Sequence, residues 1–428
     1  MNEDFLHYLW KYQKFDVTNL RSTAGEEIFL YQLGIHNTKE SGPDFFNALL
    51  SINDQKWAGT VEIHQKSSDW YVHHHKKDSM YDNVILHVVW EDDTEIYRKD
   101  ATRISTLQLK DYVSTDVLHK YLQLFKNRSQ KWIVCEDELH NVSDFVISNW
   151  QERLYIERLE QKTGLITQLL IKSSNNWEEV LFKLLAKSFG SKVNGEAFLS
   201  MAESINFAIL RKCSGNLKQV ESLFFGQVGE LDKMWGNNEY ANNLFTEYSY
   251  LKNKFNLDRI GVLPIQFFRL RPPNFPTIRL AQLASLYGAS TQLFQKILLL
   301  KTKEEFYEFF ESVEISEFWK NHYTFSKEST FRNKKITKPF VDLLLINTIL
   351  PLKFVYSKTM GKNWEDEVLV VINQIEPEKN KIVDNFSNLQ WSIQNAMHSQ
   401  AVLQLRNEYC DKKACLKCAI GNYLLTTG

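Results

Sequence analysis

The sequence predicts an α/β front domain followed by a larger, mainly α-helical domain. Three observations carry that expectation. The first hundred residues hold short apolar runs bounded by turn residues, the mark of strands. From about Trp150 the apolar residues recur at three- and four-residue spacing, the period of helices. Proline, absent before residue 264 except at Pro43, then crowds into a loop between helical stretches. A chain of 428 residues is too long for one ordinary core. We expect boundaries at 1–125 for the α/β part and 126–428 for the helical part.

Each element follows in order. Residues 1–20 carry Phe5, Leu6, Leu9 and Trp10 at helical spacing. Ile28 to Leu33 is a short strand ended by Gly34, and Ser41-Gly42-Pro43-Asp44 is a turn. FFNALLSI reads as a strand, Asn53-Asp54 as a hairpin turn, and WAGTVEIH as the alternating return strand. Residues 66–82 are polar, with room for a short helix or a long loop. VILHVVW (84–90) is the best strand of the chain, apolar except for His87. Farther on, Asn176 opens NNWEEVLFKLLAKSF, with acids in its first turn and Gly190 past its end.

Composition sets the class. Hydrophobic residues make up 43% and charged residues 24%, which excludes fibrous and mostly disordered chains. No apolar run reaches the ~18 residues of a membrane span, and the N-terminus is acidic rather than signal-like. A cytoplasmic protein with no membrane partner is expected. Residues 1–100 carry 10 Lys+Arg against 17 Asp+Glu, a net of −7, and the rest carry 41 against 35, a net of +6. An acidic front suits cations and does not hold a polyanion unaided.

Seven of the eleven histidines lie in the first 87 residues. Among them, His64 shares a strand face with Glu62, while Val61 and Ile63 face the other way. If the hairpin pairs as read, Asp44 opens the neighbouring strand and reaches Glu62. Two converging carboxylates make an oxygen site for a hard cation such as Mg²⁺. A rival site for a transition metal is built from Glu62, His64, His75 and His87.

The Asp44…Glu62-Ile63-His64 layout on a helix–strand–strand–strand–helix–strand core, with Pro43-Asp44 as its opening pair, resembles the PD-(D/E)XK nuclease superfamily. That resemblance implies a restriction-endonuclease-like α-β-β-β-α-β core, with Asp44 and Glu62 holding Mg²⁺. It also implies a third residue that orients water, a Lys in the superfamily. Here His64 occupies that position and Lys66 follows two residues later. Glu26 or Glu27 takes the place of the accessory acid. The whole chain also resembles an uncharacterised bacterial family with GPDF, VEIH, SDW, LHVVW and RPxNFP blocks and a Cys-rich end, which implies no known activity.

At the other end, Cys410-x4-Cys415-x2-Cys418 has the spacing of thiolate ligands for Zn²⁺ or, second, an iron–sulfur cluster. His398 is the nearest candidate for a fourth ligand, and Cys135 or Cys213 are alternatives. Arg269, Arg271 and Arg279, on a Pro-stiffened loop, suit phosphate binding, or alternatively pair with acids between helices. The basic run FRNKKITK (331–338) reads as a solvated loop able to touch a nucleic-acid backbone. The expected function is metal-dependent phosphodiester hydrolysis of nucleic acid, Asp44 and Glu62 holding the metal and His64 or Lys66 handling the water. The alternative is a non-catalytic nucleic-acid-binding or scaffold protein on a decayed nuclease core.

Overall fold

A computed structural model describes residues 2–38, 41–126, 131–290, 292–363 and 365–426. The chain divides into two compact units, Met1–Trp150 with Leu405–Gly428, and Gln151–Gln404. The first unit thus runs past residue 125 and takes in the cysteine-bearing C-terminus, which the sequence had assigned to the helical part. The reason is packing within that unit. Leu425 is 1% exposed in the same core as Phe5 and Leu9, and Tyr8 Oη donates to Asn422 Oδ1 at 3.1 Å.

Helix α1 (Glu3–Lys11) is capped by Asn2, whose side chain accepts from Asp4 N, and buries Phe5, Leu6, Tyr8, Leu9 and Trp10. Six strands follow: β1 (Ile28–Gln32), β2 (Ile35–His36), β3 (Phe45–Ile52), β4 (Gln55–Lys66), β5 (Val84–Glu91) and β6 (Thr106–Gln108). They form one sheet in the order β1-β3-β4-β5-β6, with β2 also pairing to β3. The first pairings are antiparallel; β4–β5 and β5–β6 are parallel. Asn53 and Asp54, at φ 47° and 64°, make the tight turn joining β3 to β4, as two left-handed residues in a hairpin do. A parallel partner cannot be reached by a tight turn. The chain therefore crosses over through the short helix α2 (Asp69–Val72) and two single 3₁₀ turns before entering β5. The helix–strand–strand–strand–helix–strand order matches the sequence expectation, with β2 added as a two-residue extra.

Alternation along β4 sorts its side chains. Val61 and Ile63 are 0% and 1% exposed and join the core under α1, while Glu62 and His64 lie on the opposite face. Gly59 is required where β4 meets the start of β5. A Cβ there would come within 2.5 Å of Ile85 Cγ2 and 2.6 Å of Asn83 O.

The second unit is helical around a core that includes Phe182, Phe189, Phe198, Phe224 and Trp319. The helix capped by Asn176 does break after Gly190, at Ser191 (φ 54°, ψ −158°), and a second stretch continues to Ser204. Among the described residues one helix, Lys338–Thr359, is long and apolar enough to cross a membrane, and 78% of its most apolar window is buried inside the protein.

Candidate metal centre

The bulge in β3 aims the first carboxylate. The β3–β4 register shifts between Phe45 and Ala48, where Asn47 takes φ 57°. Just before it, Gly42 (φ 113°) and Pro43 turn the chain so that Asp44 lies beside Glu62. Asp44 N donates to Glu62 Oε2 at 3.1 Å, and Ile63 N donates to Asp44 Oδ2 at 2.9 Å. Asp44 and the Glu62-Ile63 pair expected to meet it across the hairpin are therefore joined by reciprocal bonds, each from a backbone N–H to a carboxylate.

The second carboxylate oxygen of Glu62 faces histidines. Glu62 Oε1 is 3.4 Å from His64 Nε2 and 3.3 Å from His75 Nε2. His64 Nε2 is in turn 3.3 Å from His75 Nε2 and 3.1 Å from His73 Nδ1. One ligand atom from each of His64, His73 and His75 lies within 4.8 Å of the others. A tetrahedral ion with ~2.0–2.1 Å arms needs donors about 3.3 Å apart. The four distances above have that length, while Glu62 adjoins only His64 and His75 and is not within 4.8 Å of all three imidazoles. Three imidazole nitrogens with one carboxylate oxygen are a donor set suited to zinc and its neighbours.

Local backbone makes the cluster. His74 sits in the left-handed region (φ 62°, ψ 22°), an unusual place for a non-glycine residue. That one residue turns the His73-His74-His75 run so that His73 and His75 converge on His64 while His74 stays exposed. The walls are aromatic. Tyr81 stacks on His75 at 3.8 Å between ring centroids, and Trp70 lies edge-on to both His75 and His87. His73 is exposed and opens one side of the centre to solvent, whereas Glu62, His64 and His75 are buried.

Charges respond to that burial. Burial, reinforced by the Asp44 carboxylate, pushes Glu62 up to about 9. Burial, with neighbouring imidazoles, pulls His64 down to about 2 and His87 to about 3, and burial lowers His75 as well. Those imidazoles are neutral at pH 7, the form that ligates a metal. His7, on α1, stands 3.2 Å from Asp44 Oδ2. Burial opposes its charge, but Asp44, with Glu3 and Asp4, outweighs burial and raises its pKa.

The remaining expected site residues fall as follows. His87 is buried beside His64 rather than in the donor group. Lys66 is exposed at the end of β4, its backbone N–H bonded to Asp69 Oδ2. Glu26 bonds Ser22 Oγ and Glu27 pairs with Arg21, neither of them in the cluster. Arg279 does not stand on the Pro-stiffened loop, because Pro276 opens a helix, Pro276–Ala289. Its guanidinium is buried 3.6 Å over the Phe340 ring and donates to Asn274 Oδ1 and Gln282 Oε1. Arg269 and Arg271 are exposed. In the basic run, Lys334 is buried and donates to His322 O at 2.8 Å. His398 lies in the second unit, where its Nδ1 accepts from Gln394 N. Cys410, Cys415 and Cys418 lie in the first.

Two residues carry more of this site than the sequence reading gave them. His73 was legible only as part of a polar histidine run. His7 had no signal beyond its place in a histidine-rich segment.

The chain belongs to a family described as a protein of unknown function (DUF2851), whose profile matches residues 3–381. No curated protein and no solved structure matches it.

Proposed function

We propose that the first unit is a metal-dependent hydrolase acting on phosphodiesters of nucleic acid, its metal held by Glu62, His64, His73 and His75. The single observation behind this reading is the convergence of the His64, His73 and His75 ligand nitrogens, with Glu62 Oε1 at 3.4 Å from His64 and 3.3 Å from His75. The nitrogen-rich set favours a zinc-type ion over the Mg²⁺ that two carboxylates alone would suggest. Such an ion, when bound, supplies Lewis acidity for a phosphoryl oxygen. His64 is then a ligand, its two ring nitrogens both engaged, and does not serve as a water-activating base. That leaves His7, whose pKa the neighbouring Asp44 raises, as the group that gives a proton to the leaving oxygen. Asp44 positions Glu62 through these reciprocal bonds across the hairpin. Substrate enters on the exposed His73 side. Nucleic acid as substrate rests on the resemblance of the Asp44…Glu62 layout to nucleases.

A second reading has its own observation. Glu62 stands beside two of the three imidazoles as a fourth protein donor, and sites closed by four protein donors are commonly structural. On that reading the unit is a non-catalytic scaffold.

One experiment separates them. The purified full chain, loaded with Zn²⁺ or Mn²⁺, is incubated with single- and double-stranded DNA and RNA. The hydrolase reading expects cleavage that chelation stops and that His7→Gln slows with metal content unchanged. A protein that holds one equivalent of metal at this centre but cuts none of these substrates is a scaffold.

A further inference from the structure

The cysteines that the centre does not use form a second constellation within the same unit. None of Cys135, Cys410, Cys415 and Cys418 is held in a disulfide. Each lies within electrostatic reach of the other three. Arg406 draws the two chain segments together. Its guanidinium lies 4.8 Å over the Trp132 ring and donates to Trp132 O. Trp150 and Tyr409 meet edge to face at 5.2 Å. Residues 132–135 and 405–410, remote in sequence, are thereby held side by side.

Burial raises Cys418 to about 11 in the metal-free chain, and the local backbone partly offsets that with donors aimed at its sulfur. Residues Cys415–Lys417 make a single 3₁₀ turn, closed by Cys418 N donating to Cys415 O at 3.1 Å. The backbone N–H groups of Ile420 and Gly421 donate to the Cys418 sulfur, and the helix Ala419–Thr426 begins directly after it. Amide donors and a helix N-terminus both stabilise negative sulfur. Gly421 allows this close turn, since a Cβ there would fall 2.1 Å from Cys415 O.

We propose that Cys135, Cys410, Cys415 and Cys418 form a tetrathiolate site for a zinc-type ion that clips the C-terminal segment onto the first unit. Cys135 fills the place for which His398 was the first sequence candidate. Among the described residues these sulfurs do not form a group within 4.8 Å, so the proposal requires them to close on the ion when it binds. Holding is the role the surroundings call for. Leu416 and Leu425 pack into the core beneath α1, and Asn422 bonds Tyr8 on that helix. A redox-inert ion does this without further chemistry.

The test uses the full chain with Co²⁺ as the probe, because sulfur-to-cobalt charge-transfer absorption reports thiolate ligands and is blind to the histidine centre. The proposal expects a band of four-thiolate intensity in the native chain. Cys135→Ser should lose about a quarter of it and Cys213→Ser none. Cys135→His should keep the ion bound with three thiolates, which separates loss of a ligand from loss of folding. The same four-thiolate band should persist in His64→Ala, so the two metal proposals stand or fall separately. Absence of the band, or Cys135→Ser at native intensity, overturns the site. Acid-labile sulfide with iron in the purified protein overturns the zinc-type ion in favour of a cluster.

Discussion

His64 Nδ1 lies 2.8 Å from His87 Nε2, and the two rings meet at 71°. The contact follows from register. In the parallel β4–β5 ladder Glu62 is the Cα partner of His87, so His87 sits on the cluster's face of the sheet. With Nε2 of His64 turned to the cluster, its Nδ1 proton goes to His87. That assigns His87 the role of an outer partner that orients a ligand. The His87 Nδ1 atom is itself buried without a hydrogen-bond partner.

His87→Leu should therefore leave the chain folded and weaken zinc binding about 10- to 100-fold, the usual loss for an outer-shell partner. Competition titration against a chromophoric chelator measures it. Unchanged affinity would remove His87 from the centre.

The pH dependence of the metal-free protein has opposite limbs. Glu62 is raised to about 9, so the folded state holds a proton that the unfolded chain releases near its ordinary 4.5. Its contribution is full below about 4.5 and is lost as pH rises towards 9. His64 and His87 are lowered to about 2 and about 3. Their contribution is full above the ordinary 6.5 and is lost as pH falls. In chelator, the melting temperature of Glu62→Gln should exceed that of the native chain increasingly from pH 5 to pH 9. With zinc the order should invert, because the ion binds the ionised carboxylate. Thermal melts across pH, with and without metal, check both signs.

Gly59→Ala tests the strand approach beside the centre. The added methyl meets Ile85 and Asn83 O well inside contact distance, and neither the β5 side chain nor the backbone carbonyl has room to retreat. Destabilisation of about 1–3 kcal/mol is expected, as for overpacking generally. Urea unfolding of the full chain measures it.

What the sequence showed of this site follows from which constraints are local. Glu62 with His64 was legible because alternation on a strand places i and i+2 together. Asp44 was legible because Gly42-Pro43 marks the turn that aligns it. His73 was not, because its convergence with His75 depends on left-handed backbone at His74, which no spacing rule reports. Placing His87 next to His64 needs the parallel register, and pairing Cys135 with the C-terminal cysteines needs contacts between segments remote in sequence. Arg279 misled for a simpler reason. Pro276 stiffens a loop in one reading and starts a helix in another, and only tertiary burial against Phe340 selects the helix.

The arginines give the last prediction. Arg279 is 9% exposed, and its removal uncovers Phe340 and leaves Asn274 and Gln282 without their partner. Arg279→Ala should cost about 2–4 kcal/mol, the range for breaking a buried hydrogen-bonded network. Arg269 and Arg271 are exposed and can meet phosphates. If nucleic acid is the substrate, the double variant Arg269→Ala/Arg271→Ala should keep native stability within about 0.5 kcal/mol per site. Its binding should weaken alike on every sequence, and its salt slope should fall by about 1 per lost phosphate contact. Arg279→Lys, studied below its melting temperature, should leave the slope unchanged. Salt-dependent binding to a fluorescent single strand measures all three chains. A native slope in the double variant would place the phosphate contacts elsewhere than this loop.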